Sequence, residues 1–179
     1  QSRTIKYRYK IRWGTITPKH MKKQVLQGNG SCMLGISLGS AKSEGDRFEA
    51  SIRWISQHFS RCVLVLADSI YRYTFQVTNK VNIEAGRAAA LKLGGQFVDD
   101  YQEIINRYRE SCDFQWVKMS EIEQCPNFAH YHQSYQQLYH NDQQFHQQMN
   151  SEAQSYLSAL ADAQTLLHPL EKALNIALS

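Results

Sequence analysis

Several absences bound this sequence before any motif is read. No run of 18 apolar residues occurs in its 179 positions, so no helical membrane span is expected. It does not open on a charged segment followed by an apolar one, the pattern of a secretion signal. Its four cysteines, Cys32, Cys62, Cys112 and Cys125, form no CxxC pair. Free thiols in a reducing cytoplasm are expected from them, and no metal site. Gly-Lys-Ser and Gly-Lys-Thr are both missing, which excludes a Walker phosphate loop, and no G-x-G-x-x-G occurs to mark a dinucleotide site. No two of His130, His132, His140 and His146 are four residues apart, so surface or packing roles are expected for them rather than zinc ligation. No internal repeat is present.

Acid is missing from one place in particular. Residues 1–23 hold eight Lys or Arg and no Asp or Glu, whereas the remaining 156 residues hold twelve basic and sixteen acidic side chains, a net of −4. The whole positive excess therefore sits in one short segment, which points to a polyanionic partner. Within it, IKYRYKIRW (5–13) alternates apolar with basic. A period of two puts Lys6, Arg8, Lys10 and Arg12 on one strand face. That face suits phosphate contact, or equally a solvated edge strand; Lys19, Lys22 and Lys23 close behind favour contact.

The rest of the chain reads as alternating strands and helices. QGNG (27–30) is a turn signal, and Ser31–Ile36 is a short apolar run suited to a buried strand. A small-residue loop covers 37–43. Ser43, with Asp46 three residues on, predicts a capped helix carrying Phe48, Ile52, Ile55 and Phe59 inward. CVLVLA (62–67) has the pattern of a central parallel strand. Strand, loop, helix, strand makes a βαβ unit. Residues 78–109 are helix-prone, with Val81, Ala85, Ala88 and Leu91 as the apolar stripe and an interruption at Gly94-Gly95. Residues 114–119 form a third strand candidate. Pro126 opens a helix with an aromatic face of Phe128, Tyr131, Tyr135, Leu138 and Tyr139, where the tyrosine spacing suggests a core stripe rather than a base-stacking platform. Helices are also expected over 142–163 and 169–179.

Chemistry concentrates at Gly35-Ile36-Ser37-Leu38-Gly39, a G-x-S-x-G between an apolar strand and a helix. A serine there can be exposed at a strand's carboxyl end, with the next helix's first N–H groups as oxyanion donors. An ordinary βα turn with permissive glycines fits the pentapeptide as well. A serine hydrolase would need an acid and then a histidine downstream. Asp68 and His168 are the candidates, but no sheet is predicted around His168. Asp68 itself suits either support of the cleft or capping of a turn.

Longer segments carry a more specific pattern. MLGISLGSAKS followed by RWISQHFSRCVLVLAD, then VKMSEIEQCPNF and YHNDQQF, resembles the cyclodipeptide synthases, from about residue 30 to the end. The resemblance implies an α/β Rossmann-like parallel sheet flanked by helices, similar to the catalytic domain of class Ic aminoacyl-tRNA synthetases. It also implies no ATP site, no cofactor, and a cytoplasmic monomer acting on aminoacyl-tRNAs. Ser37 would take the aminoacyl group from a first aminoacyl-tRNA, and a second would lead to a dipeptidyl-enzyme that cyclises to a diketopiperazine. Gly35 would help hold the substrate amine. Met33, Val65 and Met119 would line the first side-chain pocket, and Lys80, Arg87 and Lys92 would face tRNA from the long helix. Ser40 stands where one subgroup has Asn, which assigns the chain to the other subgroup. The family carries a Tyr and, four residues later, a Glu on a C-terminal helix. LEKALNIALS resembles the lead-in to it, so residues 1–179 are expected to form one catalytic domain ending before that helix. A non-catalytic tRNA-binding module of the same fold and a G-x-S-x-G hydrolase are the alternatives.

Overall fold

Three strand candidates become the strands β1 (Ser31–Ile36), β2 (Arg61–Leu66) and β3 (Asp113–Lys118) in a computed structural model that describes residues 30–158. Expectations that fall on 1–29 and 159–179, among them the basic strand with Lys6, Arg8, Lys10 and Arg12, lie outside the described residues. The described part divides into two compact units, residues 30–124 and residues 125–158, each treated by itself.

In the first unit the strands are parallel in the order β1-β2-β3, with Ile36 opposite Leu66 and Leu66 opposite Lys118. That order steps in one direction, so both crossover connections lay their helices on one sheet face. These helices are α1 (Gly45–Ser56) between β1 and β2, and α3 (Ile83–Tyr108) between β2 and β3. Their side chains Phe48, Ile52, Phe97 and Ile105 close a core with Ile36, Leu64, Leu66 and Phe114. Burying each such side chain contributes about 1.5–3 kcal/mol. Phe48 sits at its centre, edge-on to Phe97 (centroids 5.7 Å apart) and stacked on Trp116 at 6.3 Å. The predicted inward set Phe48, Ile52, Ile55 and Phe59 is buried throughout.

Two helix expectations are corrected. The N-cap of α1 is Glu44, not Ser43, and no side chain caps it. The first free N–H, on Gly45, instead donates to the Tyr101 hydroxyl at 2.6 Å, so a distant residue supplies the cap. The helix-prone stretch from 78 to 109 is also not one helix. After a 3-10 turn (Ser69–Tyr71), α2 (Arg72–Asn79) ends at Lys80, whose φ of 53° is left-handed, and Asn82 then caps α3 by accepting from the Ala85 N–H at 2.8 Å. From there α3 runs through Gly94-Gly95 unbroken. Its buried residues are Gly86, Ala90, Gly94, Phe97 and Ile105, not the predicted Val81, Ala85, Ala88 and Leu91. Close approach explains the difference. A Cβ at Gly86 would lie 3.1 Å from the Arg72 carbonyl oxygen, so the contact face needs residues that carry no hydrophobic signal.

The second unit is a helical corner. α5 (Pro126–Asn141) begins with proline at its first position as predicted, and the next helix, α6, covers 143–158. Asp142 caps α6 by accepting from the Phe145 N–H at 2.9 Å. His146 stacks on Tyr139 at 4.4 Å, and the Tyr139 hydroxyl donates to Asn150 at 2.8 Å. The tyrosine stripe is not core: Tyr131 and Tyr135 are 61% and 62% exposed, and α5 buries nothing completely. Two helices meeting at a corner cover only the residues nearest the bend.

Candidate active site

Alternation along the strands decides which residues gather. Ile36, Leu64 and Leu66 point into the core, so Met33, Gly35, Val63, Val65 and Val117 occupy the opposite sheet face. Gly35 lies opposite Val65 and Val65 opposite Val117, which makes one contiguous patch. Among the described residues this face is open: Met33 is 72% exposed and no atom lies within 4 Å of where a Gly35 side chain would start. Three residues singled out in the sequence, Met33, Gly35 and Val65, are thus neighbours. Val63 and Val117 were missed, because only the register brings them there. Met119, expected at the end of the third strand, instead opens the short helix α4 (Met119–Ile122) just past β3 and is half-buried.

Ser37 follows β1 directly and is exposed. Its neighbour Leu38 is 4% exposed and plugs the loop into the core. The Ser40 N–H donates to the Ser37 carbonyl at 3.4 Å, and Gly39 between them has φ of 69°. This is the third position of a tight turn that requires positive φ, the region glycine occupies without strain. Of the expected oxyanion donors at the start of α1, the Gly45 N–H is already bonded to Tyr101. A cleft of about 380 Å³ does open beside it, lined by Asp46, Glu49, Asp100, Tyr101 and Arg107, but none of the predicted site residues lines it.

The corner after β2 ties the strand ends together. Asp68 is 1% exposed and accepts from the Ser120 N–H at 2.9 Å and the Ser120 hydroxyl at 2.5 Å. Of its two sequence readings, the turn-capping one describes these contacts: it holds the first turn of α4, beside Met119. With both oxygens engaged on Ser120, Asp68 is poorly suited to orient a histidine for a hydrolase. Glu123 does similar work nearby, accepting from the Ser69 hydroxyl (2.8 Å) and Arg72 (2.9 Å).

Of the basic candidates, Lys80 lies in the break before α3 rather than on it, and Lys92 is exposed on α3. Among the described residues neither has a carboxylate within 4.0 Å. Arg87 differs, because its guanidinium is 3.4 Å from Glu123. The thiols offer no rival nucleophile in this unit. Burial pushes Cys62 far above the ordinary thiol range, and burial with the neighbouring Cys32 and Asp113 raises Cys112 to about 11. Among the described residues no group of three or more His, Cys, Asp or Glu is placed to hold a metal, and no helix is long and apolar enough to cross a membrane.

A family model for cyclodipeptide synthases matches residues 16–179. The chain belongs to that family. None of the curated proteins matches the sequence. Among solved structures, a cyclodipeptide synthase from Fluoribacter dumoffii superposes with a TM-score of 0.71 at 24% identity, over 79% of this chain and 62% of that one. The enzyme from Candidatus Glomeribacter gigasporarum, bound to Phe-tRNAPhe, gives 0.66 at 17% identity over 80% and 65%. A Mycobacterium tuberculosis protein, whose structure demonstrates that cyclodipeptide synthetases are related to type I tRNA synthetases, gives 0.54 at 14% over 78% and 63%. The expected Rossmann-like parallel sheet flanked by helices is the fold found. The chain spans 62–65% of the length of these relatives.

Proposed function

We propose that this chain serves a tRNA-dependent cyclodipeptide synthase in which Ser37 is the covalent nucleophile. The carrying observation is an exposed serine at the carboxyl end of β1 beside an open sheet face built from Met33, Gly35 and Val65. An aminoacyl ester is already activated, so transesterification needs orientation more than a strong base. Ser37 Oγ attacks the ester carbonyl, and the tRNA hydroxyl leaves with the proton. The amine of aminoacyl-Ser37 then attacks the ester of a second aminoacyl-tRNA, whose tRNA hydroxyl leaves with the amine proton, giving a dipeptidyl-enzyme. The new terminal amine attacks the Ser37 ester, closes the diketopiperazine ring and returns the hydroxyl. Gly35 leaves room for the substrate amine, while Met33, Val65 and Met119 line the first side-chain pocket. In this reading residues 1–179 belong to one catalytic domain with a basic segment at 1–23, acting as a cytoplasmic monomer without metal or cofactor.

The test is product analysis by mass spectrometry after incubating the full-length protein with aminoacyl-tRNAs. Flexible, apolar Met33 and Met119 predict a cyclic dipeptide with an uncharged first residue. Products built only from charged residues would contradict the pocket. Binding of tRNA with no product would favour the non-catalytic module, and turnover of p-nitrophenyl esters would favour the hydrolase.

Electrostatics provides a second prediction. Each phosphate contact removed should lower the slope of log K against log salt by roughly 0.7–0.9. Replacing Lys80 and Lys92 by Gln is expected to flatten the slope more than replacing Lys6, Arg8, Lys10 and Arg12 together. Arg87→Gln should do less than either lysine change, because Glu123 already shares its charge. A flattened slope in the 6–12 variant alone would reverse that order.

A further inference from the structure

We propose that Tyr71 is the positioning residue for Ser37, acting as a strut on the turn that presents it. This rests on the synthase reading of Ser37 and adds a residue to it. The turn from Ser37 to Ser40 is closed by one long hydrogen bond of 3.4 Å, and the next backbone bond of the loop, Ser43 N–H to the Ser40 carbonyl at 2.8 Å, is equally local. Such a loop of small residues has much conformational freedom to lose. Among the described residues, two contacts reach it from elsewhere. Leu38 is sunk in the core on one side of Gly39. On Gly39 itself, the space where a side chain would begin is filled by the Tyr71 phenol, with the hydroxyl nearest and Cζ 3.1 Å from that point.

Tyr71 is well placed to bear on the turn, because its own position is fixed several times over. Its N–H donates to the Asp68 carbonyl at 3.1 Å, and the Asp68 carboxylate is held by Ser120. Ser69, two residues earlier, is bonded to Glu123. The Tyr71 ring lies edge-on to Phe75 at 5.2 Å. The 3-10 turn therefore carries a rigid connection from the α4 corner beside Met119 to the loop of the nucleophile. A displacement of about 1 Å in a reacting group can cost on the order of 10²-fold in rate. Loss of the strut should accordingly slow acylation of Ser37 while leaving tRNA affinity alone.

Tyr71→Phe keeps the ring on Phe75 and removes only the oxygen. Its single-turnover acylation by aminoacyl-tRNA is expected to slow roughly tenfold with unchanged tRNA Kd, a fraction of the full misplacement effect. Amide hydrogen exchange at Ser40, whose N–H closes the turn, should quicken in the same variant. Gly39→Ala drives a methyl into the phenol and also places a side chain on a φ of 69°, and the two together should slow acylation by about 10²-fold. Adding Tyr71→Phe to Gly39→Ala should restore only the part of that loss that comes from the overlap, and the part due to the positive φ should remain. Unchanged acylation and Ser40 exchange in Tyr71→Phe overturns the strut. Absence of acylation in the unaltered protein sinks the synthase reading instead, and Ser40 exchange still decides whether Tyr71 holds the turn.

Discussion

Ser37→Ala is expected to leave no label on the protein after acid denaturation when the full-length enzyme is mixed with labelled aminoacyl-tRNA. Its cyclic dipeptide formation should fall by roughly 10³-fold or more, the scale on which nucleophile removal acts. The physical reason is that no substitute is at hand. Cys62 and Cys112 are buried with raised pKa values, so neither is a thiolate near neutral pH. Ser40→Ala is the control at the other end of the same turn. Among the described residues the Ser40 hydroxyl accepts a long 3.4 Å contact from the Lys42 N–H, so this variant should keep its label. Equal labelling of Ser37→Ala and the parent would remove Ser37 as nucleophile.

The second large effect is on stability, and it separates two adjacent glycines. At Gly94 a Cβ would lie 2.6 Å from the Asp68 Cβ, closer than side chains pack. Asp68 cannot swing aside without giving up both bonds to Ser120. Gly94→Ala should therefore destabilise by about 1–3 kcal/mol or more, as overpacking does. The melting temperature should drop by roughly 2–4 °C for each kcal/mol. At Gly95 nothing lies within 4 Å of the same point, and the residue is in mid-helix. Gly95→Ala should gain up to about 1 kcal/mol from helix propensity. Thermal melts of the two variants check this directly. Equal shifts would mean that α3 does not press on Asp68 as described.

Much of the local architecture was legible because it rests on short-range patterns. The strands β1, β2 and β3, the inward Phe48, Ile52 and Ile55 on α1 and the proline at the start of α5 all follow from periodicity and φ restriction within a few residues. The failures share a cause. The N-cap of α1 was misassigned because its free N–H is satisfied by Tyr101, 56 residues away. The buried stripe of α3 was misassigned because glycine and alanine mark close approach, not hydrophobicity. The tyrosine spacing on α5 suggests a core stripe, but spacing does not say whether a partner covers the face.

For the site the division is the same. Ser37 and Gly35 were visible in the pentapeptide between a strand and a helix, and the family in the longer run of motifs that the match over residues 16–179 bears out. These are properties of order and spacing along the chain. Tertiary structure alone decided that Val63 and Val117 share a face with Met33, that Asp68 is bonded to Ser120, that Glu123 sits beside Arg87, and that Tyr71 rests on Gly39. Each of these is a contact between residues far apart in sequence, set by strand register and by how closely a helix can approach a sheet. Register and approach distance depend on side chains from several elements at once, so no window along the chain contains them.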